Sequence, residues 1–120
     1  FDLTKNSWEA LPSMNWRRDH CAAAAIVGKL ILCGGTDGKR YLDSVECFHP
    51  SEAVWEYLPK KMRCGRRCHW AAALGGYLYA GGGECEHFKR SQASVEFLDC
   101  TNSDFRHNAW QRAPAMHEAR

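Results

Sequence analysis

The sequence predicts an all-β protein made of repeated four-stranded antiparallel sheets. Three observations predict it. Apolar runs are short and are bounded by Gly, Pro, Asn and Asp turns, as in an antiparallel meander. The chain aligns on itself at a spacing of about 48 residues, a length typical of structural repeats. Adjacent glycines follow a strand-like run in each unit, Gly34–Gly35 after "KLILC" and Gly82–Gly83 after "YLYAG".

The repeat is read from aligned residues. "NSWEALPSM" (6–14), "AVWEYLPKKM" (53–62) and "NAWQRAPAM" (108–116) superpose Trp8, Trp55 and Trp110, then Pro12, Pro59 and Pro114, then Met14, Met62 and Met116. Arg18, Arg66 and Arg120 each stand four residues after that Met. "DSVECFHP" meets "ASVEFLDC", which aligns Glu46 with Glu96. The opening Phe1-Asp2 matches the end of such a unit, because Phe1 precedes Trp8 by the seven residues that separate Phe48 from Trp55.

Each element then follows. Residues 1–17 read as the last strand of one unit, 18–62 as a complete unit, and 63–120 as a second unit plus the start of the next. In the complete unit the strands are expected at 22–27, 30–33, 44–48 and 54–58. In the second they are expected at 70–74, 77–80, 94–98 and 108–112. The alanine runs 22–25 and 71–73 suit a crowded inner strand; their flanking glycines argue against a helix. The glycine pairs are expected where backbone bends or passes close to a neighbour. A phosphate loop is excluded, since Gly38-Lys39 is followed by Arg40 and lacks the required glycine five residues earlier.

These residues resemble the kelch repeat: glycine pair, loop, Val-Glu-x-Phe, Trp, Leu-Pro-x-Met, Arg, over essentially all 120 residues. The resemblance implies a partial β-propeller built of four-stranded blades. Two units and part of a third do not close a ring, so the chain is expected to be a fragment of a longer protein. The departures are Cys100 where the first unit has Pro50, an extra Lys before Met62, and a stretch from Leu98 to Trp110 that is five residues longer than its counterpart. The form of the repeat is most similar to the kelch-like proteins. That implies substrate capture for a cullin-type ubiquitin ligase, or else binding to actin and the cytoskeleton.

Other classes find less support. Net charge is +2, too little to argue for nucleic acid, and no apolar run is long enough for a membrane helix. Seven cysteines, an odd number, and the absence of any glycosylation sequon suggest a reducing, cytoplasmic location with most thiols acting as small hydrophobes. Cys64, Cys68, His69, Cys85 and His87 fall on neighbouring loops with zinc-like spacing. Asp37 and His20 fill matching slots in the other unit, so coincidence is preferred and neither metal nor cofactor is expected. Asp43, Glu46 and Glu96 are candidate acid–base carboxylates, but no His or nucleophile accompanies them in a motif, so an enzyme is not expected.

The roles expected of individual residues follow from repeat position. Trp8, Trp55 and Trp110 are expected to pack between blades, and Glu46 and Glu96 to bridge to arginines of the Arg18, Arg66 and Arg120 set. The loops at one end of the meander hold eleven of the 16 Lys and Arg residues. A partner-binding face is therefore placed at Arg17, Arg18, Lys39, Arg40, Tyr41, Arg66, Arg67, His87, Lys89 and Arg90. Its expected partner is a protein, held through an acidic peptide segment.

Overall fold

The structure is a computed structural model that describes residues 1–88 and 90–120. Two four-stranded antiparallel sheets dominate it. The first holds β1 (Ala22–Ile26), β2 (Lys29–Cys33), β3 (Val45–His49) and β4 (Val54–Tyr57) in sequential order. The second holds β6 (Trp70–Leu74), β7 (Tyr77–Gly81), β9 (Val95–Asp99) and β10 (Gln111–Ala113), again as neighbours in chain order. Between these lie β5 (Arg66–Arg67) and β8 (Glu84–Cys85), which form a two-stranded ribbon at the loop end. One 3-10 turn, Phe105–His107, is the only helical piece among the described residues. The alanine runs are strands, as their glycine flanks predict.

The two sheets repeat each other to the residue. Phe48 faces Trp55, and Cys47 faces Glu56. In the second sheet Phe97 faces Gln111, so Leu98 and Trp110 hold the Phe48 and Trp55 positions. Even uncommon backbone conformations recur. Asn6 and Ala53 both have positive φ two residues before their Trp, and His20 and Cys68 both have positive φ two residues after their Arg.

The core lies between the sheets. Ala22 and Ile26 of β1 and Ile31 and Cys33 of β2 bury against Leu78 and Ala80 of β7, with Leu98 and Trp110 behind them. Strand β1 packs beside β6 and β7, so small side chains there let the sheets approach. The thiols of Cys33, Cys47 and Cys100 are buried as small hydrophobes, as the sequence predicts. Burial pushes Cys33 up to about 12 and Cys47 and Cys100 up to about 11, so none is a nucleophile at neutral pH. The long stretch after Leu98 folds back: Asp99 holds Thr101, and Phe105 enters the core.

The three Trp side chains differ in burial. Trp110 is buried and Trp55 half-buried, its indole Nε1 donating to the Pro12 carbonyl at 2.8 Å. Trp8, whose own unit residues 1–120 span only in its last part, is 84% exposed, with Phe1 edge-on at 5.4 Å.

The predicted Glu–Arg bridges are present. Arg18 Nε lies 2.9 Å from Glu46 Oε2 with both side chains 0% exposed. Arg66 Nη2 lies 3.1 Å from Glu96 Oε2 with both 2% exposed. Each guanidinium also donates to the carbonyl of the first glycine of its unit's pair, Gly34 or Gly82, and to both the carbonyl and the hydroxyl of Ser44 or Ser94. The free carboxylate oxygen accepts the backbone N–H of Asn15 in one unit and of Arg63 in the other. Removing one partner of such a pair leaves a buried charge. Glu96→Leu is expected to cost roughly 3–5 kcal/mol, read from urea midpoints. A loss below about 1 kcal/mol would show the pair to be dispensable.

The first hairpin carries strain that the second avoids. Ile26 pairs with Lys29 and Leu74 with Tyr77, so each turn has two central residues. All four central residues have positive φ, as the mirror-image turns of hairpins require. The second turn uses Gly75–Gly76; the first places a β-branched Val27 at φ 47°. Val27 is 55% exposed, so little packing is at stake. Val27→Asn should raise stability by about 1 kcal/mol, seen as a thermal midpoint several degrees higher.

Candidate interaction face

The glycine pairs position the loop end. Gly34 and Gly35 have φ of 65° and 94°. A Cβ on Gly34 would lie 2.6 Å from the Arg66 carbonyl oxygen, and one on Gly35 would lie 2.6 Å from that of Asp19. The Gly35 N–H donates to Arg66 O at 2.7 Å, and Gly83 N–H donates to Arg120 O in the same way. The pair is thus the seat on which the next unit's arginine segment docks. Nothing about it resembles a phosphate loop.

The loops of the two units meet at one end, as the meander predicts. A cavity of about 480 Å³ is lined by residues 40–44 of the first unit, by the 57–65 connection and by Glu86 and His87 of the second. Tyr41 is the bridge between units. Its N–H donates to Glu86 Oε2 at 2.6 Å and its hydroxyl donates to Glu84 Oε2 at 2.8 Å. Arg67 Nε and Nη2 reach the same Glu84 oxygen at 2.9 and 2.8 Å, and its guanidinium lies 4.7 Å from the centre of the Tyr41 ring. The hydrogen bond to Glu84, then burial, pushes the Tyr41 hydroxyl up.

The expected face is therefore smaller than the sequence suggested. Arg18 and Arg66 do not belong to it, since their guanidiniums are enclosed by carboxylate and carbonyl oxygens inside the sheets. Tyr41 and Arg67 are engaged in the bridge between units, with Tyr41 half-buried. Arg17, Lys39, Arg40, His87 and Arg90 are exposed on the loops. Arg40 Nε lies 3.5 Å from Asp37 Oδ2, and Asp37 Oδ1 accepts the N–H groups of Lys39 and Arg40, which hold its carboxyl below the usual range. Arg90 lies over the exposed Phe88 ring at 5.7 Å. Lys89 lies outside the described residues.

The zinc-like set separates. Cys64 and Cys85 are joined in a disulfide, so they are neither ligands nor small hydrophobic thiols, which corrects the sequence reading for these two. His69 is buried with Nε2 3.5 Å from Cys33 Sγ, while Cys68 and His87 face outward. Among the described residues no three His, Cys, Asp or Glu side chains gather to hold a metal. The carboxylates considered for acid–base work are likewise committed: Glu46 and Glu96 to arginines, and Asp43 to Lys61 at 3.4 Å. Sequence reasoning placed Cys64 and Cys85 on neighbouring loops; only their separation in space shows the bond. It missed Glu84 as the anchor of Tyr41 and Arg67, because Glu84 takes the place of Thr36 in the first unit and no repeat position marks it.

Comparison with known proteins agrees with this architecture. Residues 17–62 match the Kelch motif. Kelch-like protein 8 of Mus musculus is 42% identical over 50 residues, 42% of this chain and 8% of that protein. An F-box/kelch-repeat protein of Arabidopsis thaliana is 29% identical over 86 residues, 68% of this chain and 23% of its own length. The Influenza virus NS1A-binding protein of Homo sapiens is 36% identical over 74 residues, 62% of this chain and 11% of its own. The solved structure of YjhT superposes with a TM-score of 0.79 at 16% identity, covering 92% of this chain and 42% of that one, a likeness of fold. The chain thus spans less than a quarter of each of these relatives and under half of the solved chain. Residues 17–62 carry a Kelch motif, and the two four-stranded sheets are blades of a β-propeller. Kelch repeats are generally protein-interaction modules and mostly lack enzymatic activity.

His69 gives this end a pH dependence. Burial, and then the positive charge of Arg66, lower its pKa to about 4. Above the unfolded value near 6.5 neither state holds the proton and stability is full. As pH falls from 6.5 toward 4 the unfolded chain takes up a proton that the fold refuses, so stability drops, by roughly 3 kcal/mol in all. Cys21 holds the equivalent position in the first unit. His69→Cys is expected to flatten the change in urea midpoint between pH 7 and pH 4.5; an unchanged slope would assign it to other groups.

Proposed function

We propose that the chain recognises partner proteins through its loop end, and that it does so as the substrate-binding part of an adaptor for a cullin-type ubiquitin ligase. The names of its relatives, a kelch-like protein and F-box/kelch-repeat proteins, support the adaptor reading. The observation that carries the recognition reading is the exposed basic set Arg17, Lys39, Arg40, His87 and Arg90 on loops fixed by the Tyr41–Glu84–Arg67 bridge and the Cys64–Cys85 bond. Loops already fixed by these bonds lose little backbone entropy on binding, and exposed arginines form strong charge-assisted bonds with carboxylates. The partner is accordingly an acidic segment of another protein. Nucleic acid fits less well, since the loops do not interleave basic residues with aromatic rings as a base-stacking platform does.

The test is affinity capture from cell extract with the triple variant Arg17→Glu/Arg40→Glu/Arg90→Glu. Arg67 is left intact because it holds the loops. Capture of specific partners should fall at least tenfold while the thermal midpoint holds. Lys5→Glu, on the opposite turn of the meander, should leave capture unchanged. Equal loss in both variants would remove the assignment of the face.

A further inference from the structure

Five of the seven cysteines are free thiols, and the one disulfide joins Cys64 to Cys85 at the loop end. The sheets do not need it. The first unit builds the same four-stranded sheet with Trp16 and Asp37 at those two repeat positions, where the Trp16 side chain hydrogen-bonds the Asp37 carboxylate. A covalent tie in one unit thus stands where the other has a polar contact. The difference lies in the loops, not in the core.

What the bond holds is specific. Cys64 adjoins Gly65, whose carbonyl accepts the Glu86 N–H at 2.9 Å. Cys85 lies between Glu84 and Glu86, the two carboxylates that hold Tyr41 of the first unit. Glu84 holds Arg67 as well. Cross-linking residues 21 apart limits the freedom of this stretch whenever its hydrogen bonds open. The bond is also within reach of solvent, because Cys64 is only half-buried, while Cys85 is buried. Its counterparts show that a neighbouring unit does not close the position off: with the second unit packed beside them, Trp16 is still 42% exposed and Asp37 half-buried.

We propose that Cys64–Cys85 is a redox-operated latch on the loop end. Oxidised, it holds the second unit's loop and, through Glu84 and Glu86, Tyr41. Reduced by a monothiol of the glutathione class, it releases them. The thiolate of one monothiol attacks Cys64 Sγ, the S–S bond breaks, and Cys85 leaves as a thiolate that takes up a proton. A second thiolate attacks the monothiol sulfur of the mixed disulfide and expels the Cys64 thiolate, which is protonated in turn. Two monothiols are oxidised to one disulfide, and the protein bond gains two electrons and two protons; the monothiol disulfide reverses both steps. The released loops carry His87, Arg90 and the Arg40–Tyr41 segment, so control of binding by the latch rests on the loop-end reading above.

The test is amide hydrogen exchange of the intact chain in glutathione buffers from oxidising to reducing ratios, with the state of the bond read by mass after thiol alkylation. On reduction the amides of Tyr41, Glu86 and Gln92 should exchange at least tenfold faster, while those of β2 and β7 hold. Cys64→Ser/Cys85→Ser should show the fast rates in every buffer. Rates within twofold in both states would overturn the latch and leave the β5–β8 ribbon as what holds the loop. Equal acceleration in β2 and β7 would overturn it by making the bond a staple of the whole fold. A bond that stays closed at the most reducing ratio would also overturn it. Exchange needs no partner, so the recognition reading fails separately. Capture of specific partners should fall at least tenfold on reduction and in the serine variant. Equal capture in both states would overturn control of the face, whereas no capture by the oxidised chain would overturn the recognition reading and leave the latch to the exchange result.

Discussion

The buried arginine is the constraint on which the rest of this structure depends. Arg18 and Arg66 each tie together a carboxylate on the third strand, the carbonyl before the second glycine of the pair, and a serine just before the third strand. Through its own carbonyl Arg66 also receives the Gly35 N–H, which joins one unit to the next. A single residue therefore closes its own blade and seats it on the previous one. Substituting apolar residues for both members of such a pair can leave stability unchanged. The donors here also satisfy backbone carbonyls, however, so an apolar replacement would leave those carbonyls unpaired.

That frame explains how the loops are presented. Each loop is fixed at its root by hydrogen bonds that recur in both units, such as Leu42 N–H to Gly35 O and Gln92 N–H to Gly83 O. What differs between units lies beyond those roots. The first loop turns tightly on Asp37, while the second is tied down by a disulfide and by Glu84. A repeat scaffold of this kind lets loop chemistry vary without disturbing the core, because each unit touches chiefly its neighbours.

The units also differ inside. His69 stands where the first unit has Cys21, in the crowded space beside Gly34, Cys33 and Arg66. Burial, and then the neighbouring Arg66 guanidinium, keep the imidazole neutral at pH 7. Phe105, carried in by the longer stretch after Leu98, adds an aromatic ring to the second unit's core that the first has no counterpart for. Arg106 beside it reaches Glu56 of the first unit at 3.2 Å, so the same insertion adds a bond between the blades.

The amino-acid sequence by itself determined the strands, their order and the partnership of Glu46 and Glu96 with arginine, because those features repeat and repetition exposes them to alignment. Glycine pairs, Trp, Pro, Met and Arg in register leave few folds that satisfy all of them. What only the tertiary structure decided is everything that breaks the repeat. The Cys64–Cys85 bond and the Tyr41–Glu84–Arg67 bridge join residues far apart in the chain through side chains that the equivalent positions of the other unit do not repeat. The sequence also counted Arg18 and Arg66 among the surface charges, because a charge census over loops cannot see which guanidinium turns inward. Burial is a property of distance in space; local pattern reports it only where a period or a repeat carries it, and functional loops carry neither.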